Sequence, residues 1–499
     1  MRVTVTEKPG FNIDIDYCQL NLLSVDYYRV LTALATKMPK FVIPQRDDDL
    51  LEASEGVFHV SELVTETDDI VQSLNRFQSL VNKQEFEQLE EYFDEFFAVA
   101  RHNEEISFDL KYHAFDILAK GLSNFTPPLR NHVSDVINST LLTDELSELN
   151  EKYRNCLLMY IYLLSRISHQ IEAYVSKKTR SVNADQKGKK AAADPSEDST
   201  VSSWNSQDGR LRLLRLLFGI TTIEAVHEDG PPVRAGIKFL FTPNILDEQL
   251  VECVLKIVMK ILENPEASKA SGKNILIASF HVLRAVCIGW EQSNIVAMLL
   301  MELAAGLEYF QKPGVTTFHF VDCILMLQTK DELRPLLSEM IKYLGKFDPQ
   351  SFAGDTSAKA FCLFITTMAE KDPTTLLKNM APLMAFLSYD PPTLRNAMLT
   401  AFADIASKCS DDENENQSFE KQRRAMLTRL QDHIQDTAAV VRTRILHVWE
   451  KLATKQAIPN EQFRFLLVTD IGNRLKDSSV MVRKAAALIY LTKKYAGDS

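Results

Sequence analysis

Apolar residues recur at helical spacing along most of the chain. In Glu85–Arg101, the apolar positions 86, 89, 93, 96, 97 and 100 fall on one stripe of a helix. Leu146–Val175 keeps this spacing for about thirty residues, which predicts one unusually long helix. The alternation typical of strands occurs only at Val3–Val5 and Asn12–Asp16. Further windows with helical spacing are Asp247–Leu262, Asn274–Trp290, Ile295–Phe310, Glu332–Leu344, Ala358–Ala369, Thr375–Leu387, Leu394–Lys408, Gln422–Ile434, Ala439–Ala453, Gln462–Leu475 and Val480–Tyr495.

The predicted helices are separated by short segments whose residues cap or end helices. Glycine is scarce, with 16 residues in 499, and sheet-rich proteins need glycine at turns and bulges. The pattern and the composition together predict an all-α protein. The separating segments include Asn264-Pro265, Lys312-Pro313-Gly314, Asp348-Pro349, Asp372-Pro373, Asp390-Pro391-Pro392 and Ile458-Pro459.

One segment, Ser176–Gly209, lacks the apolar residues that a folded segment buries. It contains no Leu, Ile, Phe or Met, so we predict a disordered linker. Its basic cluster, Lys187–Lys190, is interpreted as part of a solvated loop, with a nuclear-import or nucleic-acid patch as the alternative. The predicted organisation is a helical N-terminal region over residues 1–175, a Lys/Ser-rich linker over 176–209 and a helical array over 210–499.

Three segments late in the sequence repeat one pattern. Each has an aspartate, a short stretch, an arginine five or six residues after the aspartate, and then an apolar helix. The arginines are 47 and 41 residues apart, which matches the period of HEAT and armadillo repeats. Residues 210–499 are therefore predicted to form a HEAT-repeat α-solenoid of about six stacked helix pairs. The repeated residues are Asp390 and Arg395, Asp436 and Arg442, and Asp477 and Arg483.

We predict structural roles for these six residues. An aspartate just before a helix accepts hydrogen bonds from the free N–H groups of the first turn. An arginine one turn later can reach an acidic group of a neighbouring repeat. Both roles stabilise the stacking of repeats, and neither requires contact with a nucleic acid.

The charge is unevenly distributed along the chain. The net charge is −11, but residues 1–110 carry 9 Lys and Arg against 22 Asp and Glu, whereas residues 420–499 carry 15 against 8. Equivalent faces of successive repeats line up in a solenoid, so basic side chains there can form a stripe along a phosphate backbone. The alternative is an ordinary solvated face. The candidate DNA-binding residues are Lys421, Arg423, Arg424, Arg429, Arg444, Lys451, Lys455, Lys476, Lys484, Lys493 and Lys494.

Sequence motifs for catalysis are absent from the chain. None of the glycine-rich phosphate loops, nucleophile elbows or zinc-binding helix motifs occurs. The seven cysteines form no C-x-x-C pair, and no apolar run is long enough to span a membrane. We therefore expect no enzyme activity, no cofactor or metal, no small-molecule substrate and no membrane partner.

The ordered motifs from residue 359 to residue 486 resemble condensin complex subunit 1, a HEAT-repeat, non-SMC subunit of the chromosome-condensing complex. The resemblance is close over about 350–499 and weaker but collinear before that. A lysine-rich segment followed by Trp204 agrees with the same family. The matching motifs are Lys359–Glu370 with Pro373, Leu394–Leu399, Ala439–Trp449 and Arg474–Ala485.

The resemblance implies a non-catalytic scaffold subunit that promotes mitotic chromosome condensation. The implied partners are SMC ATPase subunits, a kleisin subunit, a second HEAT subunit, and DNA or chromatin including histones. The implied location is the nucleus and chromosomes, with a cytoplasmic pool. Family members are far longer, so the sequence corresponds to an N-terminal portion, as a fragment, an incomplete gene product or a short isoform. The alternative is another HEAT scaffold, such as a nuclear transport receptor, a coat adaptor or a phosphatase scaffold.

Overall fold

The computed structural model describes most of the chain, and the described residues are helical or irregular. They contain no named strand, only two isolated bridges, Lys40 with Val57 and Ala225 with Val233. None of their helices is long and apolar enough to cross a membrane. The predicted all-α class is therefore confirmed. The described residues are 39–101, 106–139, 143–185, 204, 208–242, 244–264, 272–306, 334–346, 355–389, 391–408, 416–455, 457–458 and 465–496.

The chain divides into two compact units, Met1–Ile257 and Val258–Ser499. The helix Asp208–Thr221, which follows the predicted linker, packs within the first unit. The boundary between the two units therefore lies after residue 210, the predicted start of the solenoid. The predicted start of the solenoid at residue 210 is a statement about where the repeats begin, and it stays a prediction.

In the first unit, two long helices carry the core and the shorter elements pack against them. The helices are α1 (Thr67–Asn82), α2 (Phe93–Arg101), α3 (Phe108–Asn138), α4 (Asp144–Asp185), α5 (Asp208–Thr221) and α6 (Glu248–Leu262), and 3-10 turns occupy Asp47–Leu51, Phe86–Tyr92 and Gly236–Leu240. The last five residues of α6 belong to the second unit. The first half of the predicted helix Glu85–Arg101 is thus a 3-10 turn.

Helix α4 is the longest element, with 42 residues. Its middle part, Cys156–Leu164, is buried on every side, as expected of a helix that is apolar all round. The predicted helix Leu146–Val175 is confirmed, but α4 continues to Asp185, ten residues into the predicted linker. Extending an existing helix requires no new nucleation, so a polar segment can continue a helix that buried turns have already formed. The basic cluster Lys187–Lys190 lies outside the described residues.

Helix α3 packs beside α4 and was not predicted as a helix. Pro127 and Pro128 lie in its interior, and proline normally ends a helix because it removes a backbone donor. Here Ser107 caps the start, accepting from the Leu110 N–H at 3.3 Å. The Thr126 hydroxyl donates to the Leu122 carbonyl at 2.8 Å, in the turn before the prolines. Burial of the flanking apolar residues keeps the helix continuous past the prolines.

The end of the predicted linker is anchored in the core of the first unit. Trp204 is fully buried, and its indole N–H donates to Glu172 Oε1 on α4 at 3.0 Å. Arg210 on α5 donates to the same carboxylate through Nε and through Nη2, the latter at 2.8 Å. The side chains of Glu172 and Arg210 are each 1% exposed. One buried carboxylate therefore holds Trp204, five residues before the end of the predicted linker, in the core.

The second unit is a stack of helix pairs, which confirms the predicted α-solenoid. The second helices of successive pairs pack directly on one another, α10 on α12, α12 on α14 and α14 on α16. The first helices occupy the other layer. The elements are α7 (Lys273–Gly289), α8 (Ser293–Gly306), α9 (Arg334–Lys346), α10 (Asp355–Lys371), α11 (Pro373–Lys378), α12 (Pro392–Lys408), α13 (Asn416–Asp432), α14 (Ala439–Thr454), α15 (Gly472–Arg474) and α16 (Val480–Ala496), with 3-10 turns Ala381–Ser388 and His433–Gln435 and a π-helical turn Leu467–Ile471.

One first helix of the repeats is broken where the sequence predicts a continuous one. The predicted helix Thr375–Leu387 is α11 followed by the 3-10 turn Ala381–Ser388, with Pro382 at the start of that turn. The predicted helix Gln462–Leu475 is confirmed over residues 465–474, where it contains the π-helical turn Leu467–Ile471 before α15.

Replacing Glu172 with glutamine tests the anchor. Glu172→Gln removes the charge of the carboxylate that pairs with the buried Arg210, and breaking a buried ion pair destabilises a protein by about 3–5 kcal/mol. The matched control is Asp116→Asn, which breaks the half-exposed Asp116–Arg212 pair and should change the free energy of unfolding by less than about 1 kcal/mol. Urea unfolding of the full chain measures both. Equal effects from the two variants would show that the anchor has no special importance.

Candidate nucleic-acid interface

The aspartates of the repeat pattern lie at the starts of the second helices. Asp436 Oδ1 accepts from the Ala438 N–H at 2.8 Å, just before α14. Asp477 Oδ1 accepts from the Ser479 N–H at 2.9 Å, just before α16. Each aspartate stands two residues before the N-cap residue instead of occupying it. It therefore fixes the turn that enters the helix.

The arginines of the pattern connect successive repeats. Arg442 Nε and Nη2 donate to the two carboxylate oxygens of Asp477, both at 2.9 Å. Arg395 Nε lies 3.1 Å from Asp436 Oδ2, and its Nη2 donates to Asp436 Oδ1 at 3.3 Å. The arginine of one repeat thus pairs with the aspartate of the following repeat. We call these two pairs, Arg395–Asp436 and Arg442–Asp477, the ladder.

Each of these arginines also binds the turn that precedes its own helix. Nη1 of Arg395 donates to the Tyr389 carbonyl at 2.7 Å, and Nη1 of Arg442 donates to the Asp436 carbonyl at 2.8 Å. The acceptor is six residues earlier in both cases. One guanidinium therefore fixes the start of its own helix and the start of the next second helix.

The electrostatics of the ladder are those of a buried, structural contact. The side chain of Asp477 is 2% exposed and that of Arg442 is 11% exposed. Hydrogen bonds from Arg442 hold the pKa of Asp477 well below its usual range, against the opposing effect of burial, and the Ser479 N–H and Arg474 add to this. The same contact raises the pKa of Arg442. Both groups stay charged at neutral pH and are turned toward each other instead of toward solvent.

The two remaining residues of the predicted structural set are Asp390 and Arg483. Asp390 lies outside the described residues. Arg483 donates from Nη1 to the Asp477 carbonyl at 2.7 Å and to the Ser478 carbonyl at 3.0 Å. It therefore repeats the contact that Arg442 and Arg395 make with their own turns.

The candidate DNA-binding residues fall into three groups. Arg423 and Lys451 are engaged within the protein, Arg423 with the Ala457 carbonyl and Lys451 with the carboxylate of Asp404. The side chains of Lys493 and Lys494 lie outside the described ones. The remaining candidates are exposed, and these are Lys421, Arg424, Arg429, Arg444, Lys455, Lys476 and Lys484.

The exposed candidates do not all lie on one layer of the stack. Lys421, Arg424 and Arg429 are on the first helix α13, whereas Arg444 and Lys484 are on the second helices α14 and α16. Arg429 lies 3.9 Å from Asp432, in a pair whose two side chains are each 61% exposed. The sequence suggested a single basic stripe, whereas the exposed candidates form two sets, one on the first helix α13 and one on the second helices α14 and α16.

Sequence reasoning missed the contact between Lys451 and Asp404. Asp404 is buried on α12, and Lys451 reaches it from α14. The two residues are 47 positions apart, the same interval that separates Arg395 from Arg442. They therefore occupy equivalent positions in successive repeats. This equal spacing is the sequence signal from which the Lys451–Asp404 contact could have been predicted.

Truncating Arg442 should destabilise the protein before it affects any binding. Arg442→Ala leaves Asp477 buried and charged, which we expect to lower the free energy of unfolding by about 3–5 kcal/mol. Arg429→Ala, which breaks a fully solvated pair in the same region, should change it by less than about 1 kcal/mol. Thermal unfolding and DNA binding are measured on both variants. An Arg442→Ala protein of normal stability that no longer binds DNA would refute the structural assignment.

A family model described as non-SMC mitotic condensation complex subunit 1, N-term, matches residues 109–294. This match covers α3 to α7, earlier in the chain than the repeat motifs that first indicated the resemblance. The two observations therefore rest on largely different residues of the chain.

Curated relatives are similar over most of the chain. Condensin complex subunit 1 of Mus musculus is 24% identical over 450 residues, which is 90% of this chain and 30% of the relative. The Homo sapiens protein of the same name is 24% identical over 456 residues, with 91% and 30% covered. Condensin-1 complex subunit CAP-D2 of Arabidopsis thaliana is 22% identical over 406 residues, with 80% and 26% covered.

The chain thus spans about a third or less of the length of the curated relatives it matches. The family model is that of an N-terminal region. The comparisons confirm the predicted resemblance: this chain is similar to condensin complex subunit 1, and the matching family model is that of an N-terminal region.

Proposed function

We propose that this chain serves as part of a non-catalytic HEAT-repeat scaffold subunit of a condensin complex, which binds kleisin and chromatin and promotes mitotic chromosome condensation. The observation that carries the proposal is the similarity over 90% of the chain to relatives named condensin complex subunit 1. The proposed partners are SMC ATPase subunits, a kleisin and a second HEAT subunit. The proposed location is the nucleus and chromosomes, with a cytoplasmic pool.

The cysteines of α6 and α7 are buried. Burial raises the pKa of the Cys253 thiol to about 11 and that of Cys287 to about 12, so these cysteines are poor nucleophiles at neutral pH. Within the described part of the chain, no group of His, Cys, Asp and Glu is arranged to hold a metal ion. In the proposed complex, ATP hydrolysis lies with the SMC subunits.

Affinity capture distinguishes the condensin proposal from other HEAT scaffolds. We expect the tagged full chain to recover SMC and kleisin subunits from a nuclease-treated mitotic extract. Nuclease treatment ensures that partners are held by protein contacts and not through DNA. Recovery of transport cargo, coat components or phosphatase subunits in their place would favour one of the alternative scaffolds.

Nucleic-acid contact, as the second part of the proposal, is assigned to the first helix α13. Lys421 and Arg424 lie one turn apart on α13, so they share a face, and both are exposed. No described carboxylate or carbonyl holds either side chain. On the second helices, by contrast, Arg442 and Lys451 are held by Asp477 and Asp404. Phosphate binding depends on exposed cations that displace counterions, and Lys421 and Arg424 supply two of them on one face of α13.

Reversing the charges on α13 should flatten the salt dependence of DNA binding. With about four to six phosphate contacts, the slope of log K against log salt should be about −4 to −5 for the full chain. The variant Lys421→Glu/Arg424→Glu should reduce the size of that slope by about two if both side chains contact phosphate. A salt titration on a duplex of arbitrary sequence measures the slope, because charges on a helix face carry no base specificity.

The matched control reverses two exposed cations of the first unit, Lys83 and Arg130. Lys83→Glu/Arg130→Glu changes the net charge by the same amount, so a general field effect alters both variants equally. The proposal requires a flatter slope only for the α13 variant, with unchanged thermal unfolding. If the Arg444→Glu/Lys484→Glu variant alone flattens the slope, the contact lies on the second helices and the assignment to α13 is wrong.

A further inference from the structure

Helix α16 carries an exposed stripe in which a cation lies between two apolar side chains. Met481 is 64% exposed and Leu488 is 44% exposed, and the exposed Lys484 lies between them in the sequence. Spacings of three and four residues place all three side chains on one face of the helix. Single exposed apolar residues are common on protein surfaces, whereas groups of them mark interaction sites.

Helix α14, on which α16 packs, carries a matching stripe. Val440 is 49% exposed, and Arg444 and His447 follow it by four and seven residues and are exposed as well. The axes of packed helices lie about 8–10 Å apart, so the two stripes are neighbours on the solvent side of the stack. We call these six side chains the outer patch, and its members are Val440, Arg444, His447, Met481, Lys484 and Leu488.

The exposure of the outer patch belongs to the repeat and not to the position of a helix in the stack. Val440 and Met481 stand two residues before their repeat arginine, and His447 and Leu488 stand five residues after it. Another second helix packs on α14, and α14 still exposes both positions. In α12 both positions are polar, so the apolar side chains of this row are confined to α14 and α16. The residues of α12 are Thr393 and Thr400.

The two cations of the outer patch have no acidic partner within the part of the chain that the structure describes. Arg444 and Lys484 are both exposed, and no described carboxylate forms an ion pair with either. The carboxylate of Glu450 lies 3.4 Å from His447 Nδ1 instead. The patch therefore presents two positive charges among apolar side chains.

The outer patch differs in this respect from the cationic face of α13. Among the described side chains of α13, at positions 421–432, no large apolar side chain is exposed. A phosphate backbone would neutralise the cations of either surface, but on the second helices it would leave Val440 and Met481 in water. Apolar side chains placed between cations fit a protein partner better, because its own apolar residues can cover them.

We propose that the outer patch binds an acidic amphipathic helix of a partner protein. The apolar face of that helix would cover Val440, Met481 and Leu488, and its Asp or Glu residues would pair with Arg444 and Lys484. Helices that bind in this way use apolar anchors at i, i+3 or i+4 and i+7, the spacing that the patch itself has. The inference goes beyond the proposed function and does not depend on it, because it uses only the side chains of α14 and α16.

The probe is a fluorescently labelled model peptide with leucines on one helix face and glutamates on the others. Fluorescence anisotropy measures its binding to the full chain. One control peptide has lysines in place of the glutamates, and a second has serines in place of the leucines. We expect each control to bind about tenfold more weakly, because the first lacks charge complementarity and the second lacks apolar anchors.

Two variants locate the binding site of the peptide. Met481→Glu/Lys484→Glu should weaken peptide binding about tenfold by charge repulsion. Val440→Ser/Met481→Ser removes apolar surface without a change of charge, so it should weaken peptide binding about fivefold and leave the salt slope of DNA binding unchanged. The matched control, Lys83→Glu/Val226→Glu, makes the same changes as the first variant at exposed positions of the first unit and should not affect the peptide.

All these positions are exposed, so we expect each variant to unfold thermally like the parent chain. The proposal is wrong if the glutamate peptide does not bind, if the lysine peptide binds equally well, or if the first-unit control weakens binding as much as the patch variants. A flatter salt slope for Val440→Ser/Met481→Ser would make the outer patch a DNA contact. Self-association of the parent chain that is lost in Met481→Glu/Lys484→Glu would make the occupant a second copy of the protein.

Discussion

The contact between Arg442 and Asp477 lies where two repeats meet, and much of the second unit is arranged around contacts of this kind. Moving two charges out of water is costly, and only good geometry with further hydrogen bonds offsets that cost. Here the carboxylate accepts two bonds from Arg442 and one from the Ser479 N–H, and the guanidinium also binds the Asp436 carbonyl. Because each partner is tied to the backbone at a helix start, the pair fixes the position of one second helix relative to the next. Apolar packing alone would allow one second helix to slide along the next. The two hydrogen bonds between Arg442 and Asp477 form at only one relative position of the two helices.

The first unit uses a buried charge for a different purpose. Glu172 on α4 accepts from the indole of Trp204 and from Arg210 on α5. Trp204 also packs edge-on against Phe115 of α3. Trp204 and the start of α5 are thereby held at a defined place in the core, although the sequence just before Trp204 offers little apolar surface to bury. Both units therefore rely on a buried carboxylate with several donors, in one unit to set the register of repeats and in the other to anchor a chain segment.

Periodicity predicted the helices well where a helix is amphipathic or buried all round, as α4 is. It failed where tertiary contacts override local signals. Pro127 and Pro128 indicate a helix end by their own chemistry, yet α3 passes through them because its flanking turns are buried. The ladder was predictable as a contact between an arginine and an acidic group of a neighbouring repeat, because aspartate and arginine recur at a repeat period. The sequence did not identify that acidic group as the aspartate of the following repeat, which Arg395 and Arg442 bind. The exposure of most candidate cations was not predictable, because it depends on which side chains the fold brings within reach. Only Lys451 had a signal, its 47-residue distance from the buried Asp404.

The ladder also affects the charge that the second unit presents to solvent. Asp436 and Asp477 are among the few acidic residues of the basic region 420–499, and both are buried against arginines. Their negative charges are therefore neutralised inside the stack and do not screen the surface. The exposed cations Lys421, Arg424 and Lys484 have fewer acidic neighbours in solvent than the composition alone suggests. Since each ladder pair withdraws one arginine together with one aspartate, a phosphate can reach the remaining exposed cations and not the ladder arginines.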